Sequence, residues 1–409
     1  MRGEKIAVIG GGMAGMAAAI LLAESGKHVV ILERQERIGK KILLTGNGRC
    51  NISNTDMDAS YYRTDETERL KRILQHCTPE READFWQSLG MAVREVKGGL
   101  YPETNQAATV LDCLRFRIEE LGIRVCTDTY VTQIRGSLGH FMICRKDAEG
   151  TEKTEEGYTQ ILLCCGGLAG VYKEAEQNGF GIVRGMGHAI RKGHPALVPV
   201  TCSEDMKAIA GVRAQAKVTL FQNGREVLAD TGELQLNKEG ISGIPVFQLT
   251  RYLDEIKNSR FEVDFLPFLA EEELPKLLNE RRERMRERTM EQFFAGWLQK
   301  KLTLYLLKRS GIRAEQKLEA LSEKQLLRVV QGMKHCSFTP AALGNYRQAQ
   351  VSVGGVPLSE VDEHLQSVKV PGIYITGEML DVTGACGGYN LHFALACAMT
   401  AVQGIVSKG

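Results

Sequence analysis

The sequence predicts an α/β protein with a Rossmann-like domain of the two-dinucleotide-fold type, split in sequence around an inserted β-rich domain and a helical domain. A strand, a glycine-rich turn, a helix and a second strand follow one another from residue 5 to residue 33. A buried strand ending in Gly-Glu, followed by an apolar helix, returns near residue 375. The stretch between them has a different pattern, first paired strands and then charged helices.

The first strand–turn–helix–strand unit has every part of a dinucleotide fingerprint. Residues 5–9 form a short, β-branched apolar run that is typical of a buried parallel strand. The next six residues, Gly-Gly-Gly-Met-Ala-Gly, match GxGxxG, and a helix-forming stretch follows. A second apolar strand ends at Glu33. The strand context makes a dinucleotide site the favoured interpretation over a glycine-rich turn that binds nothing.

Each residue type in this unit has a physical reason. The first glycine permits a tight turn, the second lets the backbone approach a pyrophosphate, and the third lets the helix pack closely on the strand. Free N–H groups at the helix amino terminus attract phosphate. The acid after the second strand can accept hydrogen bonds from ribose hydroxyls, which indicates FAD or NAD rather than NADP. The expected binding residues are Gly10, Gly12, Met13, Ala14, Gly15, Glu33 and Arg34.

A basic, glycine-rich loop at residues 39–54 distinguishes FAD from NAD. A nicotinamide dehydrogenase would continue into another strand–helix unit at this point, whereas a flavin needs such a loop along its ribityl chain and ring. Small residues let backbone amides crowd a ligand, and basic side chains offer positive charge. The alternative is a surface loop without a ligand. The loop residues assigned to FAD are Lys40, Lys41, Thr45, Gly46, Asn47, Gly48, Arg49, Cys50 and Asn51.

The carboxyl-terminal part of the chain completes the predicted FAD site. A strand ending in Gly377-Glu378 would place a carboxylate on the ribityl hydroxyls. The last helix, from about Leu391 to Val406, would direct its amino-terminal dipole at the flavin pyrimidine edge. A third buried strand, in residues 161–170, returns to the same sheet and ends at a glycine pair. Val131 lies on another predicted strand, whose backbone would suit an adenine edge. The residues assigned here are Val131, Gly166, Gly167, Gly377, Glu378, Asp381, Gly387, Gly388, Asn390 and Leu391.

Three motifs together carry a family resemblance. GGGMAG at residues 10–15, GKKILLTGNGRCNISN at 39–54 and GEMLDVTGACGGYNLHFALA at 377–396 resemble the BaiN/aminoacetone-oxidase-like (HI-type) FAD-dependent flavoproteins of bacteria. The resemblance covers essentially the whole chain. It implies an FAD-binding domain at residues 1–195 plus 340–409, an inserted β-rich substrate or lid domain at 196–265, and an inserted helical domain at 266–339.

The resemblance implies a redox activity and leaves its direction open. Family members are linked to reduction of conjugated enones in bile-acid and steroid-type substrates, and to oxidation of aminoacetone. The leading hypothesis is therefore an enone reductase that takes electrons from NADH or NADPH. Because the sequence has one GxGxxG fingerprint, the nicotinamide would bind transiently. The alternatives are an oxidase of a small amine that releases peroxide, and a non-enzymatic scaffold that carries flavin.

Three side chains are candidates for a catalytic role. His188, in a glycine-rich turn, and Tyr101, on a loop, could donate a proton to an enone or enolate. Cys386 would lie near the flavin, but a disulfide reductase needs a second cysteine at close spacing, and the sequence offers none. A packing role is the favoured alternative for all three.

Composition limits the partners and the location. The 409 residues include 52 basic and 50 acidic side chains, a net charge of +2, which gives no reason to expect a nucleic acid or a membrane surface. The eleven cysteines form no CxxC pair, so no metal site is expected. The longest apolar stretch noted, residues 13–23, is shorter than the roughly 20 residues of a membrane span, and no signal peptide is evident. We expect a cytoplasmic protein with free thiols and a small-molecule substrate, of open oligomeric state.

Overall fold

The computed structural model describes residues 5–170 and 179–407, which form two compact units. The first unit includes the described residues up to His194 and from Gln350 onward, and the second is the insert Pro195–Ala349. This insert begins one residue before the predicted stretch 196–339 and ends ten residues after it.

The helices and strands of the described residues are numbered in chain order. The α-helices are α1 (Met13–Glu24), α2 (Lys40–Leu43), α3 (Thr67–Gln75), α4 (Pro79–Ser88), α5 (Ala107–Glu120), α6 (Phe180–Gly185), α7 (Ile244–Thr250), α8 (Leu274–Arg284), α9 (Met290–Phe294), α10 (Lys300–Arg309), α11 (Glu323–Lys334) and α12 (Tyr389–Val406). The strands are β1 (Lys5–Ile9), β2 (His28–Leu32), β3 (Ser53–Asn54), β4 (Tyr62–Arg63), β5 (Val93–Val96), β6 (Gly99–Pro102), β7 (Arg124–Cys126), β8 (Tyr130–Ser137), β9 (His140–Lys146), β10 (Glu152–Tyr158), β11 (Gln160–Leu163), β12 (Pro195–Ala196), β13 (Val200–Cys202), β14 (Val212–Gln222), β15 (Arg225–Leu236), β16 (Gly240–Gly243), β17 (Ser259–Asp264), β18 (Cys336–Phe338), β19 (Pro340–Leu343), β20 (Val351–Ser352), β21 (Ile373–Ile375) and β22 (Thr383–Gly384).

A parallel sheet organises the first unit. Its strand order is β21-β11-β1-β2-β7, and every neighbouring pair is parallel. The predicted fold class is therefore confirmed, including the return of the chain to this sheet at β11 and β21. Helix α1 is apolar on every side and packs on β1, β2 and α12, as a fully buried helix does. The carboxyl ends of all five strands meet at one edge of the sheet, where ligands bind in open α/β folds.

Two glycines of the fingerprint are required by close backbone packing. A Cβ at Gly15 would lie 1.9 Å from the carbonyl oxygen of Gly10, so only glycine lets α1 approach the turn after β1. Gly10 itself has a φ of +105°, and a Cβ there would lie 2.3 Å from the carbonyl oxygen of Cys164. Both positions therefore hold strand, turn and helix together.

The second unit is built on a seven-stranded sheet of order β18-β17-β14-β15-β16-β13-β19. The pairs within it are antiparallel. Its two edge strands, β18 and β19, are separated along the chain by Thr339 alone, so the sheet curls until its edges adjoin. The hairpin between β14 and β15 turns at Asn223 and Gly224, with φ values of +51° and +77°. This is the geometry that an Asn-Gly turn signal predicts.

The insert is one compact unit in the structure, and the predicted boundary between a β-rich domain at 196–265 and a helical domain at 266–339 stays a prediction. Buried side chains from the sheet and from α8–α11 form a single hydrophobic core. The chain then returns to the sheet after α11 as β18 and β19. Periodicity distinguishes strands from helices, but it does not show that both bury their apolar faces against each other.

Helix α12 is a longer apolar segment than residues 13–23, on which the expectation of no membrane span was based. It is the helix among the described residues that is long and apolar enough, by length and composition, to cross a membrane. In this structure 72% of its 18 residues are buried inside the protein. The burial accounts for the composition, because a core helix is apolar for the same reason.

Candidate functional site

A cavity lies at the carboxyl edge of the parallel sheet, within the first unit. It encloses about 750 Å³, counted with its opening to solvent. Its walls come from the ends of β1, β2 and β11, the start of β8, and helices α2 and α6. The lining residues are Ile9, Gly10, Gly12, Leu32, Glu33, Arg34, Lys41, Thr129, Tyr130, Val131, Cys164, Cys165, Gly166, Gly167, Ala169, Gly179 and Ile182.

Glu33 is held rigidly at one end of this cavity. Its carboxylate accepts a hydrogen bond from the Gly11 N–H at 2.7 Å and another from the Gln35 N–H at 2.8 Å. Each oxygen keeps a free lone pair, so the carboxylate is positioned to accept hydrogen bonds from ribose hydroxyls. Tyr130 and Val131 line the same cavity. This end suits the adenosine half of a dinucleotide.

Gly12 provides the open space that a pyrophosphate needs. It precedes α1 in an extended conformation, with φ −81° and ψ −169°. A Cβ built on Gly12 would have no protein atom within 4 Å, and the residue lines the cavity. Gly12 is therefore not required by packing or by backbone conformation. Free space beside the amino terminus of a helix is what a bound pyrophosphate requires.

Lys41 and Glu378 meet at the cavity although 337 residues separate them. The Lys41 Nζ donates to Glu378 Oε2 at 2.5 Å, and the Ser352 N–H donates to Glu378 Oε1 at 3.1 Å. A Cβ at Gly167 would lie 2.8 Å from Glu378 Oε1, so the carboxylate packs directly on this glycine of the cavity wall. The predicted ribityl-binding acid is thus brought to the site, with a cation beside it.

The loop before α12 is fixed by its own hydrogen bonds. Gly388 has a φ of +96°, and a Cβ there would lie 2.5 Å from the carbonyl oxygen of Ser53. The Asn54 side chain donates to the Gly387 carbonyl at 3.1 Å. The Asn390 amide accepts from the Gly384 N–H and donates to the Gly384 carbonyl, both at 2.9 Å. Asn390 therefore shapes this loop, and its binding to FAD stays a prediction.

Several residues of the predicted FAD loop do not line the cavity. Lys40 pairs with Glu36 at 3.3 Å, and Arg49 is exposed. The Thr45 hydroxyl donates to the Ile42 carbonyl at 2.6 Å in the turn that includes Gly48. The side chains of the predicted residues Gly46 and Asn47 lie outside the described part of the structure. The basic character of the loop does not distinguish Lys41, which lines the cavity, from Lys40, which does not.

Asn51, within this loop, and Tyr101, on β6, lie on either side of Gly99. The Asn51 Oδ1 is buried and has no hydrogen-bond partner among the described residues. The side chains of Asn51 and Tyr101 both crowd Gly99, where a Cβ would lie 2.8 Å and 2.9 Å from them. A buried acceptor without a partner is costly. Tyr101 stays a candidate proton donor beside it, while Cys386 is half-buried in the loop that precedes α12.

Asp381 belongs to an ion-pair group. The Arg191 guanidinium contacts Asp381 Oδ2 at 3.0 Å and Asp65 Oδ2 at 2.5 Å. Burial raises the pKa of Asp381, and the adjacent Arg191 opposes that shift. The structure gives Asp381 a role in holding Arg191, which its place in the motif did not indicate, and its contact with FAD stays a prediction.

His188 is enclosed in a buried hydrogen-bond network. Its Nδ1 contacts Glu360 Oε2 at 2.8 Å, and its Nε2 contacts the Ser367 hydroxyl at 2.7 Å. Both ring nitrogens are occupied and the side chain is fully buried. This geometry favours a structural role over proton donation to a substrate.

We expect His188→Gln to lower stability without changing the chemistry. Losing one of two buried hydrogen bonds costs about 1–3 kcal/mol. Thermal unfolding should shift downward, while the rate per folded, FAD-loaded molecule stays within about twofold of the wild-type rate. A large fall in that rate, together with loss of its pH dependence, would instead make His188 an acid catalyst.

Two cysteines that sequence reasoning did not assign to the site line the cavity. Cys164 and Cys165 follow β11, and burial raises the pKa of each thiol to about 12. Burial likewise raises the pKa of Cys50 to about 11. Cys164 and Cys165 could have been predicted from the sequence, because they follow the carboxyl end of a parallel strand, where ligands bind in such sheets. Gly179 and Ile182 also line the cavity, but they do not follow a strand, and the sequence gives no indication of their position.

These pKa values predict unreactive thiols and a defined loss of stability in alkali. In the folded protein at neutral pH, iodoacetamide should leave Cys50, Cys164 and Cys165 unmodified, as read by peptide mass spectrometry, whereas the unfolded chain should react at all three. An unfolded thiol ionises near its ordinary value of 9.0. Stability is therefore complete below pH 9 and falls as the pH rises toward about 12. Rapid labelling of these cysteines in the folded protein would contradict the prediction that the thiols are unreactive.

A substitution at Glu33 tests the placement of the adenosine. We expect Glu33→Ala to weaken FAD retention roughly 10- to 100-fold, because it removes charged acceptors for the ribose. Glu33→Gln keeps one carbonyl acceptor and should lie between the two. Equilibrium dialysis of FAD against each purified variant gives the measurement. Full retention by the alanine variant would place the ribose elsewhere.

Comparisons with known proteins agree with this geometry. The family model described as the HI0933-like protein Rossmann domain matches residues 4–404. A 3-dehydro-bile acid delta(4,6)-reductase of Clostridium scindens is 38% identical over 402 residues, which is 96% of this chain and 97% of that protein. A ribosomal RNA dihydrouridine synthase of Haemophilus influenzae is 26% identical over 96% of this chain and 97% of its own length.

A solved structure extends the likeness to the fold. A 3-ketosteroid delta1-dehydrogenase from Sterolibacterium denitrificans superposes with a TM-score of 0.51 at 12% identity, covering 99% of each chain. The residues at the cavity fit FAD, since open space at Gly12, the fixed Glu33 carboxylate and the Lys41–Glu378 pair occupy the expected positions. The family resemblance stated from the motifs is confirmed, and this chain belongs to the HI0933-like family of FAD-type oxidoreductases.

Proposed function

We propose that this protein reduces a carbon–carbon double bond conjugated to a carbonyl group in a steroid- or bile-acid-like substrate, by hydride transfer from flavin N5. NADH or NADPH would be the electron donor. FAD would supply the hydride, and NAD(P)H would supply the electrons that regenerate it. The balanced overall reaction would add a hydride to the β-carbon of the enone and a proton to its α-carbon, with NAD(P)H oxidised to NAD(P)⁺.

One observation carries the proposal, namely 38% identity over 96% of the chain to a protein named as a bile acid delta(4,6)-reductase. The site supports it in two ways. The described residues contain one parallel sheet, with the fingerprint on β1 and α1, and FAD would occupy it. A nicotinamide would then bind transiently at the flavin, without a separate nucleotide-binding domain.

The chain's own residues would bind FAD and provide the electrostatic field around it. Gly12 and the first turn of α1 would hold the pyrophosphate, Glu33 the ribose, and Glu378 the ribityl chain. Lys41 forms an ion pair with Glu378 and balances the negative charge of its carboxylate at the site. The first turn of α12 would place N–H groups at the flavin pyrimidine edge. Tyr101 and Cys386 stay candidates for a catalytic role at the substrate.

The experiment has two anaerobic steps. Purified protein is mixed with NADH, or with NADPH, while the visible flavin band is followed. A 3-oxo-Δ4 or 3-oxo-Δ4,6 steroid acid is then added, and the saturated 3-oxo acid serves as the matched control. We expect bleaching by one nicotinamide, recovery of the band with the enone alone, and a product heavier by two hydrogens.

Two other results would overturn the proposal. Bleaching by a small amine such as aminoacetone, with peroxide formed under air and no nicotinamide consumed, would make the protein an oxidase. A flavin that neither nicotinamide reduces, in protein that the enone also fails to reoxidise after chemical reduction, would remove the reductase assignment.

A second substrate class shares the same chemistry. The relatives of Haemophilus influenzae and Escherichia coli that are 26% identical are named ribosomal RNA dihydrouridine synthases. Uracil also presents a double bond conjugated to a carbonyl. Residues 281–328 of the insert hold thirteen basic and six acidic side chains, a local excess that the near-neutral whole-chain charge conceals. We therefore place RNA second, and the expected absence of a nucleic-acid partner stays a prediction.

Parallel assays distinguish the two substrate classes. Reduced protein is offered the steroid enone and an unmodified ribosomal RNA transcript in parallel anaerobic reactions. Reoxidation by the enone with no dihydrouridine in the RNA, read by nucleoside mass spectrometry, supports the first assignment. Dihydrouridine formation with an inert enone would reverse the order.

A further inference from the structure

A buried polar cluster lies in the first unit, apart from the cavity. Cys77 lies between α3 and α4, Glu82 in the first turns of α4, and His392 in the first turn of α12. Their exposed fractions are 2%, 4% and 2%. Among the described residues, these three form a group whose candidate ligand atoms all lie within 4.8 Å of one another.

The contacts inside the cluster are short and directed at one carboxylate oxygen. His392 Nδ1 lies 3.0 Å from Glu82 Oε2, and the Ser53 hydroxyl donates to the same oxygen at 2.7 Å. Ser53 also lies 3.1 Å from His392 Nδ1. The Trp86 Nε1 occupies the other oxygen of Glu82 at 3.3 Å. Three polar groups therefore meet at one buried point. The Cys77 thiol lies within 4.8 Å of a candidate ligand atom of Glu82 and of His392.

Charge is the unresolved requirement of this cluster. A buried carboxylate needs a cation, and among residues 5–170 and 179–407 the ion-pair partner of Glu82 is the His392 imidazole, at 3.0 Å. A divalent cation would balance a thiolate and a carboxylate together, and it would do so without a charged imidazole.

We propose that Cys77, Glu82 and His392 bind a zinc ion, with the Ser53 oxygen in the fourth position. One sulfur, one nitrogen and one oxygen ligand suit zinc, which prefers tetrahedral surroundings. Tetrahedral zinc separates such ligand atoms by roughly 3.4–3.6 Å. The candidate ligand atoms of Cys77, Glu82 and His392 already lie within 4.8 Å of one another, so small side-chain shifts would bring them to that spacing. Because the ligands come from positions 77, 82 and 392, no sequence spacing could have revealed the site, and the expectation of no metal rested on spacing alone.

The ion would connect three segments that converge beside the FAD loop. Ser53 belongs to β3, at the end of that loop, and its carbonyl packs against Gly388 at the start of α12. Fixing Ser53 and His392 to the α3–α4 junction would hold the amino terminus of α12 in place. A closed site of this type contributes folding energy and does not take part in the reaction.

Metal content and a spectroscopic probe test the proposal on the FAD-loaded protein. Wild-type protein from zinc-supplemented medium should contain one zinc per chain by elemental mass spectrometry. After removal by a chelator, cobalt(II) should bind one per chain. Tetrahedral d–d bands should then appear on the long-wavelength side of the flavin absorption, with a thiolate-to-cobalt charge-transfer band in the difference spectrum.

Substitutions identify the ligands, with a matched control in the second unit. Cys77→Ser should abolish the charge-transfer band, and His392→Gln should reduce metal content at least about tenfold. Cys202→Ser, at a buried cysteine of the insert, should change neither reading. Retained FAD and cooperative unfolding show that a variant is folded.

Two outcomes overturn the zinc site, and the first needs no variant. Wild-type protein that contains no zinc and also fails to bind cobalt is held at this point by a hydrogen-bonded Glu–His–Ser network. A cobalt spectrum that is unchanged in Cys77→Ser places the ion elsewhere. Neither result bears on the proposed enone reduction, which is read from flavin and product.

Discussion

Gly12→Val should yield a folded, colourless protein. The backbone at Gly12 is extended, with φ −81° and ψ −169°, which valine adopts readily. No protein atom lies within 4 Å of a Cβ at this position, so the substitution should cost little stability. The new side chain would fill the space of the pyrophosphate. We expect the dissociation constant of FAD to rise about 100-fold or more, which corresponds to about 2.8 kcal/mol.

Gly15→Ala is the matched control, because it makes a smaller change with the opposite result. Its single methyl group would lie 1.9 Å from the Gly10 carbonyl oxygen, which forces α1 away from β1. We expect a loss of more than about 3 kcal/mol of folding stability. The ratio of flavin to protein absorbance and the thermal midpoint of each variant provide the two readings. If Gly12→Val retained normal FAD loading, the pyrophosphate could not lie at the fingerprint.

The parts of the site that sequence analysis could predict are those governed by local backbone rules. The glycine fingerprint, the acid after β2 and the Asn-Gly hairpin each follow from a turn or a strand end whose geometry is fixed by a few neighbouring residues. Glu378 also belongs to this class, since a parallel strand ending in Gly-acid must deliver the carboxylate to the same edge of the sheet. Its partner Lys41 could not be distinguished from Lys40 by sequence.

The parts that could not be predicted depend on contacts between distant segments. Asp381 was assigned to FAD because of its motif, and the structure pairs it with Arg191, 190 residues away in the chain. His188 was a candidate acid because of its glycine-rich setting, yet Glu360 and Ser367 occupy both of its nitrogens. Hydrogen-bond partners 170 or more residues away leave no periodicity or spacing in the sequence. The same reason explains why the Cys77–Glu82–His392 group was not anticipated.

Lys334→Met should destabilise the insert as a whole. The Lys334 side chain is 4% exposed, and its Nζ donates to Asp264 Oδ2 at 2.6 Å and to the carbonyls of Leu266 and Leu269. It thereby ties α11 to the end of β17 and to the turn that follows. Removing one partner of a buried ion pair leaves the other unpaired, at a cost of about 3–5 kcal/mol. We expect the lower part of that range, because Asp264 is partly exposed.

The matched control is Lys300→Met in the same unit. Lys300 is 72% exposed and pairs with Glu291 at 2.7 Å, and an exposed pair of this kind contributes at most about 1 kcal/mol. Limited proteolysis during urea unfolding measures both variants. The Lys334 variant should lose protection in β14–β17 and in α8–α11 at the same urea concentration, because strands and helices share one core. If the helices became sensitive while the sheet stayed protected, the insert would contain two domains, as the sequence pattern first indicated.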